Sequence, residues 1–120
     1  MRKTRMAALS AGALGLLLAT SLFAQEAAKE PTGQDLAFNN RMGNCLACHL
    51  IPNDPKAVTI ATIAPPLIAM KARFPDKATL RAQIYDATAA NPYSSMPPFG
   101  KHKILTDKEI DLITDYIYGM

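Results

Sequence analysis

Cys45-Leu46-Ala47-Cys48-His49 constrains this chain more than any other stretch, because it sets two thiols three residues apart with an imidazole directly after the second. The chain has two cysteines in all, and its one other histidine is His102. In a C-x-x-C-H pattern the thiols add to the two vinyl groups of a haem as thioethers, and the imidazole becomes the proximal ligand of the iron. Two other chemistries use the same residue types: a redox-active dithiol, or a zinc site in which His49 and His102 join the thiols. A thioredoxin-like pair wants a strand before it and a helix after it, yet here a helix-like segment leads in and Pro52 follows. Zinc would need the whole Cys and His inventory at irregular spacing. Covalent haem c is the reading the motif favours, one group per chain.

The N-terminus suits that chemistry. Arg2, Lys3 and Arg5 precede an uncharged Ala/Leu/Gly-rich run from Met6 to Ala24, and polar Gln25 and Glu26 come next. This is the pattern of a secretory signal peptide over residues 1–24, cut after Ala24, although Leu22 at the minus-three position is larger than that position usually holds. The alternative is an uncleaved membrane anchor. Cleavage implies a periplasmic protein with no membrane segment left. It also removes the apparent basicity: 13 Lys and Arg stand against 10 Asp and Glu in the full chain, and the three leader cations account for the difference. A sequence pI of about 9.0 therefore says nothing about partners, and nucleic acid is excluded for want of a basic face. The local cluster Lys71, Arg73, Lys77 and Arg81 reads as a solvated helix face.

The mature chain reads as a flexible tail over residues 25–32 and one small all-α domain over 33–120. With no Trp and nine prolines, so short a chain gains a sufficient core only if a porphyrin supplies its centre. Leu36, Ala37, Phe38 and Met42 predict an amphipathic helix over 34–42, ended by Gly43. The stretch 50–66, with Pro52, Pro55, Pro65 and Pro66, predicts a loop closed by Pro65-Pro66-Leu67. A carbonyl in that turn is placed to accept from the second ring nitrogen of His49, so Pro65 and Leu67 are candidate haem-binding residues. A short helix over 67–73 is stopped by Pro75, Asp76 caps a helix reaching toward Asn91-Pro92, and Thr106 with Glu109 makes a capping box for the last helix. Ile110, Ile113 and Ile117 then form its apolar stripe, which is expected to cross the first helix beside the haem.

Between the last two helices lies Met96-Pro97-Pro98 in a proline-rich loop. A thioether held by two prolines is a preorganised sixth iron ligand that raises the reduction potential. Met96 is the expected distal ligand, and His102 is its competitor. Met42 sits too near the motif in sequence, Met70 belongs to a packed face, and Met120 is terminal.

The order helix, C-x-x-C-H, P-P-L loop, helices, M-P-P, terminal helix is similar to the class I cytochrome c fold. Gly43-Asn44-Cys45, Arg73-Phe74-Pro75-Asp76, Met96-Pro97-Pro98-Phe99-Gly100 and Ile104-Leu105-Thr106 carry the likeness further. Together they resemble the SoxX family, the small monohaem subunits of SoxAX thiosulfate-oxidising cytochromes. The resemblance implies thioethers at Cys45 and Cys48, axial ligands His49 and Met96, and a larger SoxA-like cytochrome subunit as partner. It also implies that the partner carries the L-cysteine S-thiosulfotransferase chemistry on a SoxYZ-like carrier, while this chain takes up electrons for a further acceptor such as another cytochrome c. No catalytic residue is expected here, since haem attachment consumes both thiols. The alternative function is a free class I cytochrome c serving an oxidase or peroxidase. Ala64 departs from the family's usual glycine before P-P-L, and a positive φ there would strain an alanine.

Overall fold

The computed structural model describes residues 29–120, so the expected signal peptide and most of the expected tail lie outside the described residues. Among the described residues the secondary structure is helical, without strands. Thr32 opens α1 (Gly33–Phe38): its hydroxyl accepts from the Asp35 amide at 3.1 Å, and the Asp35 carboxylate accepts from the Thr32 amide at 2.9 Å. This capping box places residue 32 with the domain.

α1 is shorter than the apolar spacing suggests, because Asn39 ends it and the chain then tightens into a turn. Gly43 does not end the helix. The left-handed residue is Asn44, at φ 48°, and Gly43 serves a close approach instead: a Cβ there would stand 2.8 Å from the Leu36 carbonyl oxygen. That contact presses the Cys45–Ala47 3-10 turn against α1.

The loop after the motif is stitched back onto it. Thr59 Oγ1 donates to the Leu46 carbonyl at 2.7 Å, the Ala64 amide to Cys48 at 3.0 Å, and the Leu67 amide to Leu50 at 2.8 Å. The strain anticipated at Ala64 is absent. Ala69 carries it, at φ 52°, as the residue before α2 (Met70–Arg73), at a cost of roughly 1–2 kcal/mol for a side chain with a Cβ.

Asp76 caps α3 (Lys77–Tyr85) through the Ala78 amide, and Asp86 ends that helix and caps a 3-10 turn over Ala87–Ala89. The helix thus stops short of Asn91-Pro92. α4 (Asp107–Tyr118) has the expected Thr106/Glu109 box, with Leu105 and Ile110 buried on either side of it. Ile110, Ile113 and Ile117 are buried, each contributing about 2 kcal/mol of hydrophobic transfer. α4 packs on both α1 and α3. Its crossing with α1 is so close that a Cβ on Gly33 would lie 2.0 Å from the Leu112 carbonyl oxygen.

The basic cluster proves to be partly neutralised. Lys77 pairs with Asp115 at 2.7 Å, and Arg81 with both Asp107 and Asp111, so half of that face is an α3–α4 ion-pair ladder. Exposed pairs of this kind each contribute about 0–1 kcal/mol.

Candidate haem site

The helices enclose a cavity of about 740 Å³, and the C-x-x-C-H turn forms one wall of it. Cys45, Cys48, His49, Pro65, Leu67 and Met96 all line this cavity. His102 does not; it lies exposed on the turn after Gly100, with its amide bonded to the Pro98 carbonyl. Met42 and Met70 also reach the wall, closer to the site than their sequence positions suggest. Met70 is buried, and its sulfur accepts a contact from the Arg73 guanidinium at 3.5 Å.

His49 Nδ1 lies 2.6 Å from the Pro65 carbonyl oxygen. A carbonyl can only accept, so Nδ1 donates, and in the neutral imidazole this leaves the lone pair on Nε2. That tautomer presents Nε2 to a metal, and the strong acceptor on the far side raises the imidazole's donor strength. The prolines make the acceptor rigid, since their φ angles are fixed.

Burial pushes the Cys45 thiol up to about 11, and the neighbouring Cys48 adds to the shift. A redox-active dithiol needs the opposite, a thiol that ionises easily. The zinc alternative also lacks geometry, because among the described residues no three His, Cys, Asp or Glu side chains converge on one point.

A large apolar group fits the cavity. Packed cores leave few voids larger than a water molecule, and a cavity of about 740 Å³ lies in the range that holds cofactors. Ile84, Ile113 and Ile117 line it from the helices, while Ile63, Tyr93 and Ile104 stand at its walls as exposed large side chains. The donor set is that of haem c: two thiols for thioethers, an oriented imidazole and a thioether sulfur.

Sequence reasoning did not find Asp54, a buried carboxylate in the loop after the C-x-x-C-H turn. It accepts from the Tyr116 hydroxyl at 2.6 Å, the Lys56 amide at 2.8 Å by its other oxygen, and the Gln34 side-chain amide. These donors, Tyr116 foremost, hold its pKa below the ordinary carboxylate value, while burial and then Asp54 itself push the Tyr116 phenol upward. The network joins α1, the loop and α4. An Asp-Pro pair in a loop gave no signal of it.

A family model described as cytochrome C oxidase, cbb3-type, subunit III matches residues 28–117. An uncharacterized lipoprotein of Aquifex aeolicus (strain VF5) is 33% identical over 79 residues, covering 66% of this chain and 37% of that protein. The chain thus spans little more than a third of that relative's length. A chain of the crystal structure of SoxXA from P. pantotrophus is similar with a TM-score of 0.64 and 25% identity, covering 75% of this chain and 82% of that one. With the helical fold of its described residues and its C-x-x-C-H turn on the cavity wall, this chain belongs to the cytochrome c family that the subunit III model describes, as a SoxX-like electron-transfer cytochrome of all-α class I fold.

Proposed function

We propose that this chain is the haem-carrying electron-transfer subunit of a periplasmic thiosulfate-oxidising complex. The observation that carries the reading is the convergence of Cys45, Cys48, His49 and Met96 on one cavity in a chain with no third cysteine. Cys45 and Cys48 would tether one haem c, and His49 Nε2 and Met96 Sδ would hold its iron. The haem supplies a one-electron iron couple when bound. The protein orients the imidazole through Pro65, fixes the thioether sulfur with Pro97 and Pro98, and shields the iron with apolar side chains.

With both thiols alkylated and both axial positions filled, this chain has neither a sulfur nucleophile nor an open metal site. The sulfur chemistry falls to a larger SoxA-like subunit. There thiosulfate would join a carrier cysteine of SoxYZ type, with a sulfur–sulfur bond formed, the thiol proton released and two electrons given up; a haem held by this chain would supply the one-electron couple that accepts them in turn for a further cytochrome. The likeness to the SoxXA chain supports that assignment.

So does the surface. From Ala57 to Ala69 no residue is charged, and Val58 and Ile60 are 88% and 95% exposed on the loop that Thr59 ties to the haem-attachment turn. Bare apolar side chains beside a redox centre suit a lasting subunit contact. A freely diffusing carrier relies on charge to steer its encounters. The second reading, a carrier or subunit serving an oxidase, is favoured by the oxidase description of the matching family.

The test is reconstitution of the secreted, haem-loaded protein. The chain alone should not oxidise thiosulfate; with the larger subunit and a cysteine-bearing carrier, thiosulfate should reduce its haem, and the two cytochromes should co-elute on size exclusion. Turnover by the lone chain would sink the proposal. Failure to form any complex would favour the oxidase-linked carrier.

A further inference from the structure

Pro65 and Pro66 lack amide protons, so the turn beside His49 donates from its backbone only at its ends, through the Ala64 and Leu67 amides. Its two carbonyls are instead each taken by a side chain: Pro65 accepts from His49 Nδ1 at 2.6 Å, and Pro66 accepts from Arg73 Nη1 at 2.7 Å. The same Nη1 lies 3.5 Å from the Met70 sulfur, and the guanidinium carbon stands 6.0 Å from the Phe74 ring centroid. The left-handed turn at Ala69 folds α2 back, which lets a residue seven positions on reach Pro66.

We propose that Arg73 is a positioning residue for the axial imidazole, clamping the Pro65-Pro66 turn so that the Pro65 carbonyl keeps its short hydrogen bond to His49. The proposal rests on His49 being the proximal ligand. A charged guanidinium is a strong donor whose N–H groups are fixed in one plane, here with a single Nη1 reaching both the Pro66 carbonyl and the Met70 sulfur, which a lysine ammonium on a flexible stem does not reproduce. The Pro66 carbonyl lies in the Pro66–Leu67 peptide, one plane on from the Pro65–Pro66 peptide that carries the His49 acceptor; releasing it leaves only the Leu67 amide, bonded to Leu50, to hold that neighbouring plane, and the turn gains room to shift. The hydrogen bond weakens, the imidazole gives less electron density to the iron, and the ferric state loses relative stability. Arg73 thereby acts on the redox couple without touching the metal. Arg41 is the natural control, since it lines the same cavity but makes no hydrogen bond to this turn.

The test uses haem-loaded protein carrying Arg73→Lys, which keeps the positive charge, with Arg73→Leu and Arg41→Leu beside it. Proton NMR of the oxidised protein follows the shifted ring signals of the axial histidine and the solvent exchange of its Nδ1 proton, and a redox titration gives the potential. Arg73→Lys should move the ring signals, speed Nδ1 exchange by about tenfold, as loss of one charged hydrogen bond implies, and raise the potential. Arg73→Leu should speed exchange at least as much, while its loss of charge pulls the potential back down. Arg41→Leu should leave the exchange rate alone. Unmoved ring signals and unchanged exchange in both Arg73 variants would overturn the proposal, and so would an Arg73→Lys protein that is merely less stable. Wild-type protein showing no histidine ring signals of this kind would instead overturn His49 as ligand, which separates the two failures.

Discussion

Replacing Gly33 by alanine sets local propensity against tertiary contact, and the two predict opposite signs. Gly33 is the first residue of α1, and alanine is favoured over glycine in a helix by up to about 1 kcal/mol. Propensity alone therefore expects Gly33→Ala to stabilise. The added Cβ, however, would lie 2.0 Å from the Leu112 carbonyl oxygen, 2.6 Å from its carbon and 2.9 Å from Tyr116 Cβ. Ordinary contact begins near 3.4 Å, and two of these three atoms belong to the α4 backbone, which cannot rotate away. The helices must separate by an ångström or more, loosening the packing of Leu36 and Ala37. Overpacking of this kind costs about 1–3 kcal/mol, so a net loss of about 2 kcal/mol is expected. With a guanidinium slope of about 3 kcal/mol per molar, the midpoint falls by about 0.7 M. The assay is guanidinium unfolding of the haem-loaded protein, followed by helical circular dichroism. Gly119→Ala is the control: the nearest atom to its Cβ is 3.3 Å away and its φ is −75°, so it should stay within about 0.5 kcal/mol of wild type. A Gly33→Ala protein as stable as wild type, or more so, would refute the close crossing of α1 and α4.

Two further outcomes follow from the site and its surroundings. Cys45→Ala or Cys48→Ala should lose covalent haem and most soluble protein, because tethering and completion of the core fail together; normal yields of mutant that stains for haem on a denaturing gel would contradict this. Asp54 has a folded pKa below its ordinary 3.8, so its contribution is complete above about pH 4 and is lost as the pH falls through the depressed value. Asp54→Asn should accordingly be less stable at neutral pH and lose less of its stability as the pH falls below the ordinary carboxylate value; an unaltered acid limb in thermal melts would exclude the network as its cause.

What the sequence made legible was what neighbours in the chain decide. The Thr106/Glu109 box, the Asp76 cap and the Ile110, Ile113, Ile117 stripe each depend on residues within two turns of one another. Thr32 and Asp35 form the same box, but an aspartate stands where glutamate or glutamine is the usual sign, so the start of α1 was harder to read. The overlong first and third helices reflect apolar spacing that continues past Phe38 and Tyr85 into turns held by Asn39 and Asp86. Asp54, Gly33 and Gly43 were opaque for another reason. Their roles exist only when segments distant in sequence meet, and no local pattern records that a carboxylate will face Tyr116 or that a missing Cβ makes room for α4. Arg73 belongs with them: it looked like one cation of a surface cluster, and its bond to Pro66 depends on the left-handed Ala69.

If one covalent haem c is held between His49 and Met96, the far-red absorption of the oxidised protein reports that ligand pair. Wild type should show the weak methionine-to-iron charge-transfer band. Met96→Leu should keep its haem, lose that band and fall in potential by roughly 100 mV or more, within the span over which axial ligands tune haem. His102→Ala should retain both band and potential. A band that survives in Met96→Leu, or that disappears in His102→Ala, would contradict the ligand set on which the account is built.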